Sequence, residues 1–268
     1  MGAVAHSSAG LGPDFRRYEV PYRNLRAFIG DHLPLDVGTV VYRVDCATAE
    51  ALRPDLESTL SPDETADVAR LSQEPHRRRM AISRGLLRTV LGIHLNLPAI
   101  EVPLFRDSKG RPYLAAHAST LGLQVSCSRS GHLGAFAIAR HANVSLDIEL
   151  VDHGSRFPDH LGPSVLSDFE LACFNTAPAV RRERWMARAW VCKETAIKAI
   201  GRGLQIDPRA LTVQPVSPPV CDPSDEPHPF TVDELPGWAG LLERRGGLLT
   251  AVLVQGSPSL MVFIDVRF

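Results

Sequence analysis

A helix-start signal occurs twice in this chain, about 106 residues apart, and the repetition limits the folds available to it. Ser61-Pro62-Asp63-Glu64 offers an N-cap serine, a proline in the first turn and a glutamate three residues on, the pattern of a capping box. Ser167-Asp168-Phe169-Glu170 repeats the serine and glutamate at the same spacing. Each start precedes an arginine-rich helical segment, Arg77–Leu91 in one case and Arg181–Ile200 in the other. Apolar strand candidates surround them: Thr39–Val44, Val102–Phe105, Leu123–Cys127 and Ala135–Ala139 early, Ser145–Leu150, Leu248–Val254 and Leu260–Val266 late. The order reads as one α/β unit used twice, joined near Arg140–Asn143. We therefore expect a mixed α+β fold of two similar subdomains, 20–141 and 142–268, after a flexible segment 1–19. Gln214–Pro229 holds six prolines and reads as an extended surface loop within the second unit.

Bulk properties narrow the functional classes. A net charge of −1 gives no global case for nucleic-acid or membrane binding. Five cysteines without a C-x-x-C pair fit a reduced, cytoplasmic setting. No apolar run reaches the length of a membrane span, and Met1–Pro13 lacks the basic and apolar regions of a secretion signal.

Chemistry concentrates in two short stretches. Trp190, Glu194 and Lys198 recur at i, i+4 and i+8, so they share one helical face, and Gly201-x-Gly203 ends the helix. In Ser145–Leu150 the period of two puts Asp147 and Glu149 on one face and Leu146, Ile148 and Leu150 on the other. Three carboxylates with Lys198 and Lys193 suit Mg2+-assisted phosphoryl transfer. Taken singly, Glu194 and Lys198 also read as an exposed ion pair, and the D-x-E as the polar face of a strand. Ser126 to His132 follows an apolar strand with hydroxyls, Arg129 and a glycine, which suits a phosphate cradle or an ordinary turn.

In this order the segments resemble the 4'-phosphopantetheinyl transferases of the large, surfactin-synthetase-activating (Sfp) type. That family shows a G-x-P turn, then F-N-x-S-H-S, then G-[VI]-D-[IV]-E, then W-x-x-K-E-[SA]-x-x-K-x-x-G-x-G-L. Here these stand as Gly110-Arg111-Pro112, Gln124 to Ser130, Ser145 to Glu149 and Trp190 to Leu204. The resemblance extends over roughly residues 38–268. It implies a pseudo-dimeric fold of two small, mostly antiparallel sheets packed with helices, sufficient as a monomer. It implies transfer of 4'-phosphopantetheine from coenzyme A to a serine of an apo acyl or peptidyl carrier protein. Asp147, Glu149 and Glu194 would hold Mg2+ (or Mn2+), and Glu194 would also deprotonate the serine. Lys198, assisted by Lys193, would meet the leaving phosphate. Arg79, Arg111, Pro112, Ser128 and Arg129 would grip the nucleotide end.

Three positions depart from the pattern: Arg129 stands for histidine, Ser126 for asparagine and Ser145 for glycine. They motivate an alternative, a degenerate member that binds coenzyme A or a carrier without transferring. Another Mg2+ phosphotransferase or phosphodiesterase built on the D-x-E pair is the third reading.

Overall fold

The structure is a computed structural model that describes residues 4–6, 14–33, 38–115, 122–151, 159–201, 205–214, 227–256 and 260–268. Its strands are β1 (Val4–His6), β2 (Asp14–Pro21), β3 (Thr39–Asp45), β4 (Leu104–Arg106), β5 (Pro112–Leu114), β6 (Leu123–Ser130), β7 (Leu133–Arg140), β8 (Val144–Leu150), β9 (Val213–Gln214), β10 (His228–Val232), β11 (Trp238–Arg245), β12 (Leu248–Gln255) and β13 (Leu260–Arg267). The helices are α1 (Leu25–His32), α2 (Arg53–Glu57), α3 (Pro62–Ala69), α4 (Glu74–Leu95), α5 (Gly162–Val165), α6 (Asp168–Thr176) and α7 (Ala179–Ile200). The fold is mixed α+β. Among the described residues no helix is long and apolar enough to cross a membrane.

Two sheets lie face to face with helices outside. One runs β1-β2-β13-β3-β7-β6 and the other β8-β12-β11-β10-β9, while β4 and β5 form a separate pair. Alternation along each strand divides its side chains between two layers. On β3, Val40, Tyr42 and Val44 join Ile82, Leu86 and Val90 of α4 in one core. Val41, with Ala135, Ala137 and Ala139 of β7, turns to the other face and meets Leu146 and Ile148 of β8 and Val252 and Val254 of β12. Beyond the second sheet, Val191, Cys192, Ala196 and Ile197 of α7 pack on Leu249, Ala251 and Leu253.

Both expected capping boxes form. Glu64 N–H bonds Ser61 Oγ and Ser61 N–H bonds the Glu64 carboxylate; Ser167 and Glu170 do the same at the start of α6. Each capping glutamate also takes a buried cation from the following 22-residue helix. Glu64 pairs with Arg88, and Glu170 Oε2 lies 2.6 Å from Lys193 Nζ. Arg88 then donates to the carbonyls of Ala99 and Val102, and Lys193 to those of Pro208 and Leu211.

Two expectations fail here. Residues 14–19, read as part of a flexible segment, belong to β2, which pairs in parallel with β13. Arg16, Arg17 and Glu19 on that strand mask its apolar contacts, made by Phe15 and Val20. The division at 141/142 also does not separate the sheets. The last strand, β13, sits between β2 and β3 in the first sheet, parallel to both. Its near-continuous apolar run suits a strand covered on both faces, with Met261 and Phe263 on one side and Val262, Ile264 and Val266 on the other. Most of the proline-rich segment, 215–226, lies outside the described residues.

Candidate active site

Strands β6 and β8 are edges of different sheets and lie side by side. Serines close the gap between them: Ser126 Oγ accepts from Leu146 N–H at 3.0 Å, and Ser130 Oγ from Leu150 N–H at 3.0 Å. Hydroxyls thus satisfy amides that an edge strand would leave unpaired. This gives Ser126, one of the three departures, a definite task. Ser145, another, donates to the Thr195 carbonyl of α7 at 2.6 Å and ties β8 to that helix.

The helical face of Trp190, Glu194 and Lys198 lies over Asp147 and Glu149. Lys198 Nζ is 2.6 Å from Asp147 Oδ1 and 3.1 Å from Ser128 Oγ. Ser128 Oγ also donates to Asp147 Oδ1 at 2.7 Å. Glu149 accepts from Ser130 Oγ at 2.8 Å and from the Trp190 side chain. Burial pushes the Glu149 carboxyl above the usual range against the pull of Ser130, with Asp147 adding to the rise. Burial likewise raises Glu194, helped by Asp147 and Glu149 and opposed by Lys198. The three carboxylates therefore share one electrostatic environment that Lys198 only partly neutralises.

A cavity of about 400 Å3 opens beside them. Among the described residues its lining includes Arg84, Arg106, Lys109, Arg111, Arg129 and Lys198, six cations against the single carboxylate of Asp107. Ser83, Pro112, Ser126, Cys127 and Ser128 complete much of the wall. Burial lowers the pKa of Arg129, and neighbouring Arg106 and Arg79 push it the same way. Arg84 is lowered by burial and by Arg106. The Nε groups of Arg84 and Arg106 are buried without a hydrogen-bond partner. Crowded cations with unfilled donors call for a polyanion. Cys127, pushed up to about 11 by burial, stays a thiol there.

The structure thus gathers Arg111, Pro112, Ser128, Arg129 and Lys198 around the cavity, with Asp147, Glu149 and Glu194 beyond Lys198. It does not bring two expected residues to it. Lys193 is fully buried on Glu170 and the 208–211 carbonyls, on a different side of α7 from Lys198, so it cannot meet a phosphate as the sequence suggested. A one-residue step along a helix turns a side chain by about 100°, and that rotation separates Lys193 from Glu194. Arg79 lies near Arg129 but donates to the Pro75 and Gly131 carbonyls and does not line the cavity. Arg202, Gly203 and Leu204 fall outside the described residues; Gly201 ends α7 with φ +74°. Arg84, Arg106 and Lys109 were missed. Arg84 stands unmarked among five arginines, and Arg106 is brought to the cavity by the β4–β5 pairing with Pro112, which only the structure shows.

Whether these residues suit a divalent ion can be judged from the donors. All three acids offer oxygen, as hard cations require. Their mutual repulsion is what a cation would relieve. As arranged here, no three His, Cys, Asp or Glu side chains among the described residues converge on one point, and Lys198 occupies Asp147. The chemistry of the donor set fits.

Two comparisons with known proteins bear on the family of the chain. Residues 143–231, which include β8 and all of α7, match the family model of the 4'-phosphopantetheinyl transferase superfamily. The chain is also 28% identical over 179 residues to the 4'-phosphopantetheinyl transferase HetI of Nostoc sp. (strain PCC 7120), covering 66% of this chain and 75% of that protein. Over the segment that carries β8 and α7, the chain is thus similar to the 4'-phosphopantetheinyl transferase superfamily.

Proposed function

We propose that this transferase moves 4'-phosphopantetheine from coenzyme A to a serine hydroxyl of an apo acyl or peptidyl carrier protein. Adenosine 3',5'-bisphosphate is the other product. The observation that carries the reading is the juxtaposition of a six-cation cavity with three carboxylates, Lys198 standing between them.

The nucleotide phosphates lie among Arg84, Arg106, Arg111 and Arg129, and the unpartnered Nε groups of Arg84 and Arg106 suit phosphate oxygens. That places the pyrophosphate toward Lys198 and Ser128. Glu194, raised by burial, accepts the proton of the carrier serine. The serine oxygen bonds to the phosphorus that carries pantetheine, the bridging P–O bond breaks, and the departing nucleotide keeps the electron pair. Lys198 faces that developing charge. Asp147, Glu149 and Glu194 would hold Mg2+, which when bound neutralises pyrophosphate charge. Most of the rate then comes from positioning and charge, as in other phosphoryl transfers.

Intact mass of an apo carrier after incubation with the protein, coenzyme A and Mg2+ tests this directly. We expect a gain of one phosphopantetheine arm that EDTA abolishes. Coenzyme binding with no gain on any of several carriers would instead favour the non-catalytic binder.

A further inference from the structure

The turn joining β4 to β5 belongs to neither main sheet, yet it reaches from the first half of the chain to the end of α7. Its base is held: Leu104 is buried in the α4 core, and Leu114 packs against the same cluster. Its tip is shaped by one carboxylate. Asp107 Oδ1 accepts the amide N–H groups of Lys109 and Arg111, each at 2.9 Å, while Asp107 N–H bonds the Arg111 carbonyl at 3.0 Å. Gly110, at φ +78°, takes the left-handed conformation that closes the turn. Arg106 braces it from the strand by donating to the Gly110 carbonyl at 2.7 Å. A turn fixed this way presents side chains, and Lys109 Nζ extends to the Gly201 carbonyl at 2.9 Å.

That contact meets an electrostatic difficulty of the cavity. Gly201 lines the cavity at the carbonyl end of α7, where the helix dipole carries partial negative charge. A polyanion bound there faces charge of its own sign. Lys109 sits directly on this end. The Arg111 guanidinium lies beside it, 3.4 Å from where a Cβ on Gly201 would be. Neither Lys109 nor its carbonyl partner is placed at the reacting atoms.

Resting on the coenzyme reading above, we propose that the turn 107–111 is a clasp whose Lys109 covers the carbonyl end of α7 and so sets affinity for the anionic nucleotide. Lys109 is a positioning residue. Its loss should change how tightly the nucleotide is held and leave the transfer step alone.

The test is calorimetric binding of adenosine 3',5'-bisphosphate, beside kcat and KM for coenzyme A, in the full chain and three variants. Lys109→Ala should weaken nucleotide binding about twofold to fivefold, the scale of one exposed charge at a helix end, with KM rising alike. Its kcat should stay within about twofold. Lys109→Arg should restore binding. Arg70→Ala, which removes an equal charge from an exposed site outside the cavity, should match the parent protein. A Lys109→Ala protein that binds the nucleotide as the parent does, or that loses kcat at unchanged binding, overturns the clasp. A parent protein that binds neither nucleotide nor coenzyme A overturns the coenzyme reading itself, a distinct result.

Discussion

Helix α4 lies on β3 and helix α7 on β8, and the two contacts are built from different chemistry. The helix-facing residues of β3 are Val40, Tyr42 and Val44; those of β8 are Ser145, Asp147 and Glu149. Tyr42 Oη meets His94 Nε2 at 2.9 Å, a neutral contact, where Asp147 meets Lys198 in an ionic one. The positions on α4 that correspond in order to Trp190, Glu194 and Lys198 are Gly85, Thr89 and Ile93. Gly85 packs so closely on the Leu56 backbone of α2 that a Cβ there would stand 2.3 Å from its carbonyl oxygen. On α4 that face is shut by a neighbouring helix, whereas on α7 it borders the cavity through Lys198. Beneath this difference the struts are alike, a capping glutamate bound to a buried cation. The scaffold holds a long helix in place in both halves, and chemistry appears where the strand beneath it carries acids.

The sharpest way to break this comparison is to exchange the polar positions. Glu194→Gln removes a charge with little change in volume and should lower carrier loading by about 10³-fold, the scale expected for losing a positioned base. Thr89→Ala, at the corresponding place on α4, should leave loading within about twofold per folded molecule. Circular dichroism and urea titration would show both variants folded. A Glu194→Gln protein that retains substantial turnover would remove Glu194 from the reaction.

If the struts are equivalent, they should fail alike. Arg88→Met and Lys193→Met each strand a buried carboxylate, Glu64 or Glu170, and should each cost about 3–5 kcal/mol in urea unfolding. The pairing also separates Lys193 from catalysis. Lys193→Met molecules that remain folded should keep most of their turnover, measured with activity normalised to the folded fraction. A folded but inactive Lys193→Met would return that lysine to the site.

The neutral contact on α4 predicts a pH response of its own. Burial, with a smaller push from Arg140, lowers the His94 pKa from 6.5 to about 4. Above pH 6.5 the imidazole is neutral in both folded and unfolded chains and contributes no pH dependence. Between 6.5 and 4 the unfolded chain takes up a proton that the folded chain refuses, so stability falls as pH falls; below about 4 the effect is complete. The loss should be on the order of 2–3 kcal/mol, less where solvent reaches the ring. His94→Gln should flatten that segment of the profile in urea titrations at stepped pH. An identical slope in the variant would exclude His94 as its source.

Much of this arrangement was readable in the sequence because local rules dominate there. The capping boxes need only residues three apart, and the face of Trp190, Glu194 and Lys198 follows from helix geometry. Strand alternation correctly turned Asp147 and Glu149 away from Leu146 and Ile148. What escaped was set by distant partners. Lys193 and Lys198 are both lysines of one helix, and only the position of Glu170 and the 208–211 carbonyls sends one inward. Strand β2 escaped because Arg16, Arg17 and Glu19 interrupt its apolar pattern. Arg17 joins Arg43 on the Glu243 carboxylate, a network between sheets that no local pattern announces. The place of β13 between β2 and β3 likewise depends on pairing across nearly the whole chain. Arg84 and Arg106 converge on the cavity from a helix and a hairpin far apart in sequence.

The smallest effect bears on Ser145, which stands where the family pattern has glycine. Its hydroxyl spends its hydrogen on the Thr195 carbonyl, one residue beyond Glu194, and it lies on the same strand face as Asp147. The corresponding position on β3 is Val40, which holds α4 by apolar contact alone. Ser145→Ala should therefore cost about 1 kcal/mol in unfolding, the net worth of one buried hydrogen bond. If the bond also fixes the register of α7 over β8, kcat should fall a fewfold with KM for coenzyme A unchanged, because Glu194 and Lys198 shift together against Asp147. Ser145→Gly separates the two contributions. It removes the same bond and adds the backbone freedom of glycine in a strand, so it should be less stable than Ser145→Ala by a further ~0.5–1 kcal/mol. A Ser145→Gly protein more stable than the parent would mean that the strand is strained by the serine and that the hydroxyl contact is incidental to holding the helix.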